Sequence, residues 1–118
     1  MNTQEVANAF TALCKAGKFD EAGQQFWADN VVSVEAMAGE GARVEGRKGV
    51  EAKGEWWYAN HEVHSVKVEG PYVNGNQFIV RFTMDITPKG GERLGMDEMG
   101  VYTVQDGKVT EERFFYGS

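Results

Sequence analysis

The stretch Phe78-Ile79-Val80-Arg81-Phe82-Thr83-Met84-Asp85-Ile86 decides how the chain folds. Every second residue from Phe78 to Ile86 is apolar, while the intervening set carries Arg81, Thr83 and Asp85. A period of two puts one face of a strand in a core and the other toward solvent or a partner. Working outward, this strand reads as Gln77 to Thr87, and three neighbours read as about Val63 to Val73, Glu92 to Val104 and Lys108 to Tyr116. The separators are Asn74-Gly75-Asn76, Pro88-Lys89-Gly90-Gly91 and Asp106-Gly107. Asn-Gly and Asp-Gly supply the positive φ angles that tight hairpins need. The second half is therefore expected to be an antiparallel meander. Its strands exceed the usual length of about five or six residues. Long strands in a small sheet must twist and bend, which makes one face concave.

The first half follows a helical period instead. Asn2 and Glu5 have capping-box spacing, and Val6, Phe10, Leu13 and Cys14 then share a face up to Gly17, a left-handed C-cap candidate. A second short helix is expected with Asp20 as cap, Ala22, Phe26 and Trp27 on its apolar side, and Asp29-Asn30 at its end. Val31 to Glu35 is β-branched and strand-like. A glycine-rich stretch from Ala38 to Gly46 leads into a third helix, Gly49 to Asn60, with Val50, Gly54 and Trp57 on one face. Its two glycines cost about 1 kcal/mol each against Ala, so packing of the tryptophans must hold it.

Composition limits the functions open to such a chain. Its 118 residues suit one domain, 1–118, and the 14 aromatics among them can line a core with a hole in it. A net charge of −6, with no basic run, argues against nucleic acid as a partner. No apolar run is long enough to span a membrane and no signal peptide is evident. Cys14 stands alone, so no disulfide forms within the chain, which fits a cytoplasmic location.

Several local patterns then converge. Ala16-Gly17-Lys18-Phe19-Asp20 closes the first helix, Phe26-Trp27-Ala28-Asp29-Asn30-Val31 leads into the first strand, Gly46 to Tyr58 places aromatics late in the third helix, and Asp106-Gly107-Lys108-Val109 makes the last hairpin. In that order and spacing the chain resembles the nuclear transport factor 2-like superfamily, close to its SnoaL-like and ketosteroid-isomerase-like members. The blocks Asp97 to Val104 and Glu112 to Tyr116 resemble SnoaL-like proteins as well. The resemblance implies an α+β fold of cystatin-like topology, in which a curved, cone-shaped antiparallel sheet wraps three N-terminal helices around an internal pocket. It also implies homodimers formed through the outer sheet face, here the face with Ile79, Arg81, Thr83 and Asp85. Because that fold hosts many reactions and none, it does not name an activity.

Glu35 occupies the position of the ketosteroid-isomerase general base, where a carboxylate can take a proton from carbon beside a carbonyl; alternatively it is a strand-end residue in solvent. The isomerase's oxyanion partners are not kept, since its helix-one tyrosine corresponds to Phe10 and its strand aspartate to Gly100. Steroid isomerisation is therefore not expected. Glu98 and Glu112 are expected to meet across the pocket wall and share a proton, with the Tyr116 phenol as a further donor; the alternative pairs them with Arg113, Arg93 or Lys108 on an exposed face. Expected ligand contacts are Phe10, Met37, Trp56, Trp57, His64, Met84 and Phe114, with methionine suited to an adaptable apolar wall. His61 and His64 lack a third ligand, so no metal is expected. With no P-loop, Rossmann fingerprint or Gly-x-Ser-x-Gly elbow, the expected chemistry is cofactor-independent acid–base work on a small, largely apolar carbonyl or hydroxyl compound. The competing expectation is a non-catalytic ligand-binding or dimeric structural module.

Overall fold

In the computed structural model, residues 1–36 and 42–116 are described. The first helix, α1, spans Thr3–Lys15. The Asn2 side chain accepts from the Glu5 N–H at 2.8 Å, and the Glu5 carboxylate accepts from the Asn2 N–H at 3.0 Å. This is the capping box read from the sequence, and Gly17, at φ +77°, turns the chain out of the helix as expected. Helix α2 spans Phe19–Phe26 with Lys18 at its N-cap, so Asp20 lies in the first turn, where its charge meets the positive helix end.

That helix stops at Phe26, three residues before Asp29, because Trp27 already has extended dihedrals, φ −64° and ψ 132°. The Trp27 ring lies back across Gly23, where an added Cβ would sit 2.5 Å from it. Strand β1 therefore begins at Trp27 and runs to Val34. A three-residue strand, β2 (Arg43–Glu45), pairs with β1 inside the glycine-rich stretch; three residues are too few to register a period. Helix α3 spans Arg47–Asn60 and buries Val50. Among the described residues no helix is long and apolar enough to cross a membrane.

Four long strands follow: β3 (His61–Asn74), β4 (Gln77–Pro88), β5 (Leu94–Gln105) and β6 (Lys108–Tyr116). They form the expected antiparallel meander. At the β5–β6 hairpin both Asp106 (φ 53°) and Gly107 (φ 76°) have positive φ, the type I′ pattern, whereas at β3–β4 only Gly75 (φ 60°) does, as in type II′. The strand order is β2-β1-β6-β5-β4-β3. β1 lies parallel to β6, so the curved, unclosed sheet is mixed rather than wholly antiparallel. Register shifts at Val63/Ser65 and Glu69/Tyr72 bend β3 and help curl the sheet around the helices.

The concave face holds the core. Phe78, Val80 and Phe82 of β4 alternate inward as the sequence predicts. The Phe10 ring of α1 sits 5.7 Å from Phe78, 4.7 Å from Tyr102 and 6.3 Å from Phe26, tying the helices to the sheet. Edge-to-face and tilted pairs of this kind add about 0.5–1.5 kcal/mol each beyond burial.

Candidate acid–base site

Inward-facing residues of neighbouring strands come into register as rows. Ser33, Glu112, Tyr102 and Phe78 form one row, Phe114, Gly100 and Val80 the next, and Tyr116, Glu98 and Phe82 a third. Period two along β5 and β6 therefore sends Glu98, Glu112 and Tyr116 to the same side. Glu35 follows directly on β1, and its N–H is held by the Ala42 carbonyl at 2.7 Å. Helices α1 to α3 cover this face and leave a cavity of about 220 Å³, lined chiefly by aromatic and aliphatic side chains.

All four expected chemical groups, Glu35, Glu98, Glu112 and Tyr116, line that cavity. Glu35 is not a solvent-facing strand end: its side chain is only 19% exposed. The Lys53 ammonium of α3 lies 2.5 Å from its Oε1, and the Tyr116 hydroxyl donates to its Oε2. Lys53 also donates to the Ser33 Oγ at 2.8 Å and stands 5.4 Å from the centre of the Phe114 ring. Glu112 is buried, and accepts from the Trp27 indole N–H at 2.9 Å and the Ser33 hydroxyl at 2.8 Å. Burial pushes its carboxyl up from the ordinary value, and those two hydrogen bonds and Lys53 pull the other way. The exposed partners considered for these glutamates are engaged elsewhere: Arg113 with Glu111, Arg93 with Asp85, and Lys108 with the Gln25 carbonyl.

Glu98 differs from its neighbours. Among the described residues it has no hydrogen-bond partner to favour its charged form. Burial first, then the charge of Glu35, push its carboxyl up to about 7, against a smaller opposing pull from Lys53. Burial likewise pushes Cys14 and Tyr58 up to about 12. Cys14 is thus core and no nucleophile at neutral pH. The Gly100 position is explained by Tyr102: a Cβ on Gly100 would lie 2.7 Å from the Tyr102 hydroxyl, so only glycine leaves room for the phenol.

The expected ligand contacts divide. Phe10, Trp57, Met84 and Phe114 line the cavity. Trp56 does not, and is 63% exposed, because one helix face cannot turn two successive residues inward. His64 does not line it either; its imidazole is exposed and bonded to the Thr87 hydroxyl at 2.7 Å. His61 bonds the Trp57 carbonyl and stacks on the Trp57 ring at 4.4 Å. Met37 lies outside the described residues. Lys53, Ser33, Trp27 and Tyr102 are site residues beyond those expected from sequence. Lys53 carried one signal: a lone charge three residues after Val50 and four before Trp57, on a helix face that is otherwise apolar.

Comparison with known proteins agrees with this architecture. Residues 1–116 match the SnoaL-like domain family. A solved structure of a proposed SnoaL-like polyketide cyclase from Mesorhizobium loti, also designated carbohydrate phosphatase, is 51% identical, with TM-score 0.96 over 98% of this chain and 100% of that one. A proposed isomerase from Bacillus subtilis is 20% identical, with TM-score 0.73 over 99% of this chain and 90% of that one. TerC, co-crystallised with polyporic acid, is 18% identical, with TM-score 0.76 over 98% and 91%. The last two likenesses establish the fold alone. A comparison with curated proteins found no match.

Proposed function

The chain belongs to the SnoaL-like domain family, and from that premise we propose that it is a cofactor-independent acid–base enzyme acting on a small, uncharged, largely apolar carbonyl or hydroxyl compound. The observation that carries this is the Glu98 carboxyl, without a hydrogen-bond partner among the described residues and pushed up to about 7 in a cavity that also holds the ion-paired Glu35. Two carboxyls in unlike environments divide the roles of acid and base. Glu35, as carboxylate, takes a proton from the carbon beside the carbonyl; two of its roughly four acceptor sites remain open beside Lys53 and Tyr116. Glu98, as neutral acid, gives its proton to the carbonyl oxygen, forming an enol. Return of a proton to another carbon gives isomerisation, and attack of the enol carbon on a second carbonyl gives cyclisation. The Mesorhizobium protein's designation as a cyclase fits this chemistry. Its designation as a phosphatase fits less well, since Asp20, Glu35, Glu98 and Glu112 face the cavity against the single cation Lys53 and would repel a phosphate.

One observation favours the second reading, a non-catalytic binding module: both Glu35 oxygens already have partners. A thermal-shift panel of bicyclic ketones and phenols, each matched with the carboxylate of the same skeleton, tests the shared premise. At about 100 times its dissociation constant a true ligand adds about 2.7 kcal/mol of stability. Uncharged members are expected to stabilise and carboxylates not. Stabilisation by carboxylates alone, or by none of the panel, rejects the proposed ligand class.

A further inference from the structure

We propose that Lys53 is a positioning residue that assigns the protonation of the cavity's carboxyls: by pairing with Glu35 and, through Ser33, with Glu112, it leaves the exchangeable proton on Glu98. This rests on the acid–base reading above and explains how three glutamates in one cavity come to differ.

The hydrogen-bond directions fix the pattern. An ammonium only donates, so the Ser33 Oγ must accept from Lys53 at 2.8 Å. Its single hydrogen is then left to donate to the Glu112 Oε2 at 2.8 Å. The Trp27 indole also only donates, and does so to the Glu112 Oε1 at 2.9 Å. Both oxygens of Glu112 therefore accept, and these two donors, with Lys53 behind Ser33, favour its ionised form against the burial that raises it. Lys53 meets Glu35 directly at 2.5 Å. The third N–H of Lys53 has no assigned acceptor, and its ammonium stands over Phe114.

Glu98 receives none of these donors. The titratable groups around it are Glu35 beyond β1, Lys53 and Tyr58 of α3, Tyr102 of its own strand, Glu112 and Tyr116 of β6, Asp20 of α2 and Cys14 of α1. Lys53 is the single cation in that set. One positive charge shared by two carboxylates leaves the third carboxyl to retain a proton, since like charges at close range do not all ionise. The direction found for Glu98 agrees, since the charges of Glu35 and Glu112 add to burial in raising it, while burial raises Glu112 as well against its two hydrogen bonds and Lys53.

The test follows the glutamate side-chain carboxyl carbons by NMR across pH in carboxyl-labelled protein, without any ligand. Substitutions Glu98→Gln, Glu35→Gln and Glu112→Gln assign the resonances. The carboxyl that titrates at about 7 is expected to vanish in E98Q and persist in the other two. Lys53→Met is expected to bring a second carboxyl, that of Glu35 or Glu112, into the neutral range, and Lys53→Arg to leave the wild-type pattern in place. A neutral-range titration that belongs to Glu35 or Glu112 overturns the proposal on the wild-type fold alone, even if Lys53→Met does not fold. A Lys53→Met protein in which Glu98 remains the one carboxyl titrating in the neutral range overturns it as well. Because no substrate is present, the pattern holds or fails independently of whether the protein catalyses the proposed reaction.

Discussion

At Glu98 the folded chain holds a proton that the unfolded chain would release. Its carboxyl is raised from 4.5 to about 7, so in that window the native state binds more protons. Stability accordingly falls as pH rises from 4.5 to about 7 and is level above it. The size is about 2–3 kcal/mol, less than the full shift would give because Glu98 is only partly buried. Glu98→Gln keeps the shape and removes the titration, so the variant is expected to gain that much on wild type from the acid to the neutral side of the window. Urea melts across pH check it; parallel curves for the two proteins contradict it. Glu98, Glu112 and Tyr116 were legible in the sequence because strand alternation and family resemblance both sent them inward. Lys53 was not, because a charged side chain is ordinarily assigned to solvent even when Val50, Gly54 and Trp57 mark its helix face as apolar. Trp57 enters the cavity on the face that helical period shares with Val50 and Gly54, and the adjacent Trp56, also expected at the ligand, is turned to solvent by the same period.

Among the elements, α3 carries the most correctable weakness. Gly54 sits mid-helix with open space where a Cβ would go, whereas a Cβ on Gly49 would meet a Val44 methyl at 2.8 Å. Gly54→Ala is expected to stabilise by about 0.5–1 kcal/mol through helix propensity and a less free unfolded chain. Gly49→Ala has the same propensity gain offset by overpacking against β2. Thermal or urea melts of the two variants separate these cases, and equal gains would show that β2 yields freely. The long strands were legible to within two residues at every end because alternation over nine or more positions is a strong signal. The α2 end and β2 were not. Trp27 leaves the helix for a hydrogen bond to Glu112, 85 residues away, and β2 exists because β1 needs an edge partner. Neither cause is local in sequence.

For the molecule as a whole, the convex sheet face raises the question of a partner. Met99 and Phe115 lie side by side there, 41% and 49% exposed, and Tyr72 of β3, paired with the outward Ile79, is 58% exposed. Arg81 pairs with Asp97 and Arg93 with Asp85 at the same face, so its charges are balanced. We propose that a second copy covers this face, as the family resemblance implies. Light scattering is expected to give about twice the monomer mass of 13.1 kDa, and Phe115→Glu to return the monomer. A monomeric wild type rejects it.

The central claim, that Glu35 and Glu98 move protons on a carbonyl compound, is tested most directly by NMR of proton-for-deuterium exchange beside the carbonyl of 2-tetralone in heavy water. The account predicts that the protein accelerates this exchange by about 10²-fold or more, that Glu35→Gln abolishes the acceleration, and that it declines as pH rises through about 7 and Glu98 loses its proton. No acceleration, or acceleration that survives Glu35→Gln, would contradict it and leave the cavity a binding site.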